Sequence, residues 1–190
     1  MALAKSKATR EAILHAARTI FARKGYSGTS ITKLAESLHV TRANFYYYFP
    51  SKQELFVELG TATYRESLAV IAAFDKIDHN PDVAQVQGWT EEYFDYLDRH
   101  GGFLVRSMED GPEDPEFRAT VQRLHKRSAR RLGEYIDARS AAAFASPTAL
   151  GMSIMAMLER NWLLTHTAVV DSDRAATILA SAEIVTHLMH

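Results

Sequence analysis

Helix breakers are few in this chain and sit at segment ends. Its 190 residues hold five prolines and nine glycines, placed at or near the ends of long stretches whose apolar residues recur with a 3.6-residue period. A chain patterned in this way closes its backbone hydrogen bonds locally, and an all-α fold is expected. The first helix is predicted from Thr9, as N-cap, to Lys24, with Ile13, Ala17, Ile20 and Phe21 on one face. Arg23 and Lys24 suit its last turn and Gly25 its stop. A short second helix follows Ser30, carrying Ile31, Leu34, Ala35 and Leu38 at i, i+3, i+4 and i+7. A third starts after Thr41, buries Phe45 and Phe49, and ends at Pro50. Ser51 to Glu54 form a capping box that opens a fourth through Leu55, Phe56 and Leu59.

Beyond residue 75 the breaks are Asn80–Pro81, Gly101–Gly102, the stretch 109–116, Ser146–Pro147 and 171–173, which predicts helices near 82–99, 103–108, 115–144, 147–168 and 173–189. The acidic run Glu109, Asp110, Gly111, Pro112, Glu113, Asp114 lacks the oxygen-ligand spacing of a calcium loop and is expected to be a solvated connection.

Composition narrows the function classes. With no cysteine there is no disulfide, thiolate metal site or cysteine nucleophile, which fits a cytoplasmic chain. The longest apolar stretch, Ala149 to Leu158, is half the ~20 residues of a membrane span, and the basic start has no apolar core behind it, so no signal peptide is expected. The net charge of −1 conceals a strong asymmetry. Residues 1–55 hold nine basic side chains (Lys5, Lys7, Arg10, Arg18, Arg23, Lys24, Lys33, Arg42, Lys52) against three acidic ones (Glu11, Glu36, Glu54), a surplus of +6; residues 56–190 carry 13 basic and 20 acidic, a balance of −7. Such a basic head points to an anionic partner, nucleic acid or membrane.

Between Ile31 and Phe49 the sequence reads helix, short turn, helix. In a helix-turn-helix the first helix braces the second, whose N-terminal residues meet base edges in the major groove. Leu34, Leu38, Val40, Phe45 and Phe49 supply the packing faces, leaving Thr41, Arg42, Ala43, Asn44 and Tyr47 to point outward. Arg pairs with guanine O6 and N7, Asn with adenine N6 and N7, and the Ala43 methyl suits a thymine methyl. Successive side chains on a helix stand about 100° apart, so Tyr46, Tyr47 and Tyr48 cannot all face a core. Tyr47 and Tyr48 are expected on DNA, while Tyr46 suits core and DNA equally.

The stretch from Ala8 to Phe56 resembles the DNA-binding domain of TetR/AcrR-type transcriptional regulators. The matching elements are Ile13 to Phe21 followed by Lys24–Gly25–Tyr26, the Thr29–Ser30–Ile31 lead into the second helix, Leu34–Ala35, and Val40–Thr41 through Tyr46, Tyr48–Phe49 and Ser51–Lys52. The resemblance covers about 50 of the 190 residues. It implies base-facing roles for Thr32, Arg42, Ala43, Asn44 and Tyr47, and backbone contacts for Ser30, Thr41, Tyr46, Tyr48 and Lys52. His39 departs from the family, which commonly has Gly in that turn; His is among the non-glycine residues that tolerate positive φ.

The resemblance further implies a three-helix DNA-binding domain at 1–55 and a larger helical domain at 56–190 that binds a small molecule and forms a homodimer on a pseudo-palindromic operator. Dimer contacts are expected from Leu150, Ile154, Met157 and Leu158 on one helix and Ile178, Ala182, Val185 and Met189 on the other, residues that would otherwise be buried within one chain. A mostly apolar effector is expected among Trp89, Tyr93, Phe94, Phe103, Met108, Phe144, Met155, Glu159, Trp162 and His166, each of which is also a candidate for ordinary core. Arg123, Arg127, Arg130 and Arg131 read as a solvated face. An enzyme is disfavoured: HExxH, GxSxG, Walker A and the dinucleotide glycine fingerprint are all missing, and no metal or cofactor is expected. His187 and His190 suit an exposed end better than a metal. An architectural DNA binder without effector control would leave the acidic body without purpose.

Overall fold

The computed structural model describes residues 2–167, 171 and 173–190, with side-chain surroundings from residue 6 onward. Ala168, expected to end a helix, Ser172 within an expected break, and the side chain of Lys5 lie outside the described residues. All regular structure among the described residues is helical: α1 (Ala2–Lys24), α2 (Ile31–Ser37), α3 (Arg42–Tyr48), α4 (Lys52–Ala73), a 3-10 turn (Phe74–Lys76), α5 (Val83–Glu109), α6 (Pro115–Asp137), α7 (Pro147–His166) and α8 (Arg174–His187). The expected class is the one observed.

Local chemistry explains most boundaries. Gly25 adopts φ +71° and ends α1; Ser51 Oγ accepts from Glu54 N–H at 3.0 Å, the first half of the capping box. Ser146 and Asp173 cap α7 and α8 with side-chain oxygens on Ala149 N–H and Ala175 N–H. Three expectations need correction. Helix α1 begins seven residues before Thr9, because the Ala- and Lys-rich start holds no breaker. Helix α6 stops at Asp137 rather than 144, where Asp137 Oδ1 turns to accept Phe144 N–H at 2.6 Å. Gly101–Gly102 do not break α5, which runs through them. A Cβ at Gly101 would lie 2.5 Å from the Trp162 indole; this glycine makes room for a ring rather than for a turn.

The chain divides into two compact units, one of residues 1–64 and 102–118, the other of 65–101 and 119–190. In the first, Ile13, Ala17 and Phe21 of α1, Leu34 and Ala35 of α2, Phe45 of α3, Phe49, Leu55, Phe56 and Leu59 of α4, and Phe103 form one buried core. Phe56 is its centre, with Phe21 and Phe103 each at 5.0 Å between ring centroids. In the second unit α7 and α8 pack together, burying Ile154, Met155, Leu158, Trp162, Ile178, Ala182 and Val185. Gly133 and Gly151 let α6 and α7 touch backbone to backbone, since a Cβ on either would fall on a carbonyl oxygen of the other helix.

Arg139, which no sequence pattern singled out, fixes the end of α4. Its buried guanidinium donates to the carbonyls of Ile77 (2.8 Å), Asp75 (3.1 Å), Asp78 (3.2 Å) and Tyr135 (2.8 Å), and stands over the Phe74 ring. Those of residues 75–78 follow a helix end and have no helical partner of their own. Arg139→Ala is expected to lower unfolding free energy by about 3 kcal/mol, because buried carbonyls lose their donors; chemical denaturation of the full chain checks this, and a loss within experimental error refutes it.

Candidate nucleic-acid interface

The recognition segment is set by which faces of two seven-residue helices can be buried. On α2, Leu34 and Ala35 enter the core; on α3, Phe45 does, and Phe49 follows it. The turn between them is closed by Leu38 N–H and Val40 N–H on the Ala35 carbonyl and by His39 at φ +54°. The expected positive φ at His39 is therefore observed. Thr41 caps α3, its Oγ accepting Asn44 N–H at 3.1 Å, which leaves its hydroxyl proton available to an outside acceptor.

With Phe45 fully buried, Arg42, Ala43, Asn44, Tyr46 and Tyr47 are exposed, as is Ser30, whose hydroxyl makes no capping bond on α2. Tyr47 is 77% exposed, a large ring that folding alone gives no reason to leave in water. Tyr48 packs edge-on against it at 5.1 Å and is half-buried. Thr32 is half-buried on α2. Arg23, Lys24 and Lys33 add positive charge, exposed at Lys24, Lys33 and Arg23 alike.

Two of the basic residues are engaged inside the head. Lys52, assigned to the DNA backbone by resemblance, donates from Nζ to the carbonyls of Tyr26 (2.8 Å) and Thr29 (3.2 Å) and lies 4.0 Å over the Tyr26 ring. One of its three N–H bonds remains for a phosphate. Arg10 pairs with Glu58 and stacks over Phe49 at 4.9 Å, so it braces α1 against α4 rather than offering a free charge.

The acidic connection between α5 and α6 is not merely solvated. Asp110 accepts from Ser27 N–H (3.2 Å) and Ser27 Oγ (2.7 Å), and its carbonyl accepts Tyr26 N–H (3.1 Å). Asp114 caps α6 through Phe117 N–H and Glu116 N–H and accepts from Gln53 Nε2 at 3.1 Å. These bonds hold its carboxyl below the usual range, that from Phe117 N–H above all. Residues 83 positions apart thus clasp the loop leading into α2, a pairing with no sequence signature.

The expected effector and dimer residues divide. Trp89, Tyr93, Phe94, Met155 and Trp162 are buried in the second unit with Glu159 close by; Trp162 Nε1 donates to Asp98 and the exposed His166 stacks on its indole at 4.7 Å. Phe144 is half-buried in the connection after α6. Phe103 and Met108 belong to the other unit: Phe103 completes the aromatic core around Phe56, where a ligand has no room, and Met108 is exposed. Of the dimer residues, Leu158, Ala182 and Val185 have no exposed surface, and Ile154, Ile178 and Met189 almost none. They hold the unit together and cannot face a second chain; only Leu150 and Met157 keep part of their surface. His190, expected at a frayed end, places Nε2 3.2 Å from the Pro81 carbonyl. Among the described residues no helix is long and apolar enough to cross a membrane, and no three His, Asp or Glu are placed to hold a metal ion.

Residues 13–59 match the model of bacterial regulatory proteins of the tetR family. The chain is similar to the transposon Tn10 TetC protein of Escherichia coli, 30% identical over 108 residues, 56% of this chain and 53% of that protein. It is also similar to the HTH-type transcriptional repressor AcnR of Corynebacterium efficiens, 31% identical over 113 residues, 58% and 55% of the two chains. These matches span about half the length of the curated relatives. In fold it is like the crystal structure of the TetR family regulator PfmR from Thermus thermophilus, with a TM-score of 0.72 at 19% identity over 94% of this chain and 98% of that one.

Asp110→Ala is expected to destabilise the first unit by about 1–3 kcal/mol through the lost bonds to Ser27. Faster amide exchange at Tyr26 and Ser27 with unchanged helix content is the expected record; unchanged exchange there would remove the clasp.

Proposed function

Starting from a chain that is a TetR-type transcriptional regulator in its DNA-binding domain, we propose that it acts as a homodimeric repressor, bound to a pseudo-palindromic operator through residues 1–55 and released by a small, largely apolar effector held by residues 56–190. The observation that carries the DNA-binding part is the exposed row of Arg42, Ala43, Asn44 and Tyr47 beside a fully buried Phe45. Donor, acceptor and methyl groups able to read base edges are displayed where the fold gains nothing from them. Tyr46, Tyr48, Ser30, Thr41 and the remaining Lys52 N–H serve the phosphates, while Thr32 reads from the rim of α2. The printed name of one relative, a transcriptional repressor, supports repression over activation. A cytoplasmic place follows from the DNA partner.

For the dimer the outward faces of α7 and α8 are the candidates. Met152, Leu179 and Ile184 are large apolar side chains left exposed, with Ala149, Ala156, Ala176 and Ala180 exposed beside them. A patch of apolar and small side chains suits a self-complementary two-fold contact.

Release is a matter of linkage: an effector lowers DNA affinity only by binding the non-DNA-binding arrangement more tightly. Helices α4, α5 and α6 each run unbroken from one unit into the other, and α4 starts directly after the reading helix. A tilt of α4 would change the spacing of two heads on their half-sites. Equal head separations in free, DNA-bound and effector-bound dimers would sink this mechanism.

Selection of bound duplexes from random DNA, repeated with cell extract to detect release, tests the whole reading; no preference for any duplex would overturn it. Arg42→Ala is expected to cost about 1–3 kcal/mol on the selected operator and to relax its sequence preference. Equal loss on selected and random DNA would refute base reading by Arg42.

A further inference from the structure

Tyr93 on α5 and Glu159 on α7 interact inside the second unit. Tyr93 is fully buried, and among the described residues neither Tyr93 Oη nor Glu159 Oε1 has a hydrogen-bond partner. Such orphaned atoms are rare in native folds and call for an explanation. Burial lifts the Glu159 carboxyl to about 7, only partly countered by the Tyr93 phenol, and no cation contributes to its ionisation. The surroundings are rings: Trp89 stands 5.4 Å from Tyr93 and Tyr96 5.8 Å, with Phe74 4.8 Å from Trp89. Neighbouring polar groups are already engaged. Trp89 Nε1 donates to the Val70 carbonyl, the Tyr96 phenol bonds Ser67, and Arg99 pairs with Glu66. Folding uses these neighbours and leaves the pair itself.

We propose that Tyr93 Oη and Glu159 Oε1 are the polar end of the effector site, and that the effector is an organic amine with a protonated nitrogen on an aromatic or apolar body. The proposal rests on the effector-controlled reading above. Both orphaned atoms can accept, and a primary ammonium brings three donors, so one group satisfies both and neutralises the carboxylate. The faces of Trp89, Tyr93 and Tyr96 favour a cation over a neutral group of the same shape. A carboxylate or phosphate would be repelled by Glu159, and a plain hydrocarbon would leave both atoms unpaired.

Isothermal titration of the full chain with benzylamine, 2-phenylethylamine and tryptamine, beside benzyl alcohol, 2-phenylethanol and 3-phenylpropionate, tests this. The amines are expected to bind more tightly than the alcohols, and the carboxylate not at all. The bound form needs ionised Glu159, so affinity rises about tenfold per pH unit below 7 and levels off above it. Glu159→Gln is expected to weaken amine binding at least tenfold and to abolish that pH dependence; its melting profile confirms the fold. The carboxyl carbon signal of Glu159 should titrate at lower pH in the amine-saturated protein. Alcohols binding as tightly as amines, unchanged binding in Glu159→Gln, or no amine bound at millimolar concentration would each overturn the proposal. Operator affinity is measured separately: an amine that binds with the expected pH profile without releasing operator establishes the amine site and refutes effector control, whereas release by another compound with no amine bound refutes the amine site alone.

Discussion

The recognition surface depends on the burial of one ring. Helix α3 has seven residues, too few to be stable alone, and it is held by Phe45 and Phe49 inside the core that Phe21, Phe56 and Phe103 organise. Once Phe45 is inward, the 100° step of a helix turns Ala43, Asn44 and Tyr47 away from it and leaves Arg42 at the free N-terminal end. The display of polar and aromatic groups to DNA is thus a consequence of packing. A weakened aromatic core would not merely destabilise the head; it would lose the orientation of its reading face.

Polar groups complete what the rings begin. The core fixes where α1, α2 and α3 lie, but the loop from Gly25 to Ser30 that joins them has little apolar surface to bury. Asp110 orders it instead, together with Lys52, whose cation lies over the Tyr26 ring. Arg139 does the same for the end of α4 in the other unit. At Lys52 and Arg139 a long charged side chain satisfies backbone carbonyls that no helix can reach. Glu159 and Tyr93 stand in contrast, a buried pair with atoms that the fold leaves unsatisfied, and that contrast is why a ligand is the more economical account of them.

The sequence by itself determined the helical class, because breaker placement and apolar period are local properties. It determined the reading face too, since the turn and the positions of Phe45 and Phe49 dictate which side chains are left outside. His39 in a positive φ and the caps at Ser51 and Ser146 were legible for the same reason. Period alone does not say which partner a face meets. Ile154, Leu158, Ile178 and Val185 carry the pattern of a buried stripe whether the burial is within one chain or between two, and only the packing of α7 on α8 assigned them to the chain's own interior. Phe103 reads as one more aromatic of the body until the fold places it against Phe56. Gly101 reads as a break until Trp162 is seen beside it. The clasp of Asp110 on Ser27, the hold of Arg139 on the carbonyls after α4 and the pairing of Glu159 with Tyr93 join residues far apart in the chain. Tertiary structure alone decided them, since a hydrogen bond between distant residues leaves no periodic trace in the chain.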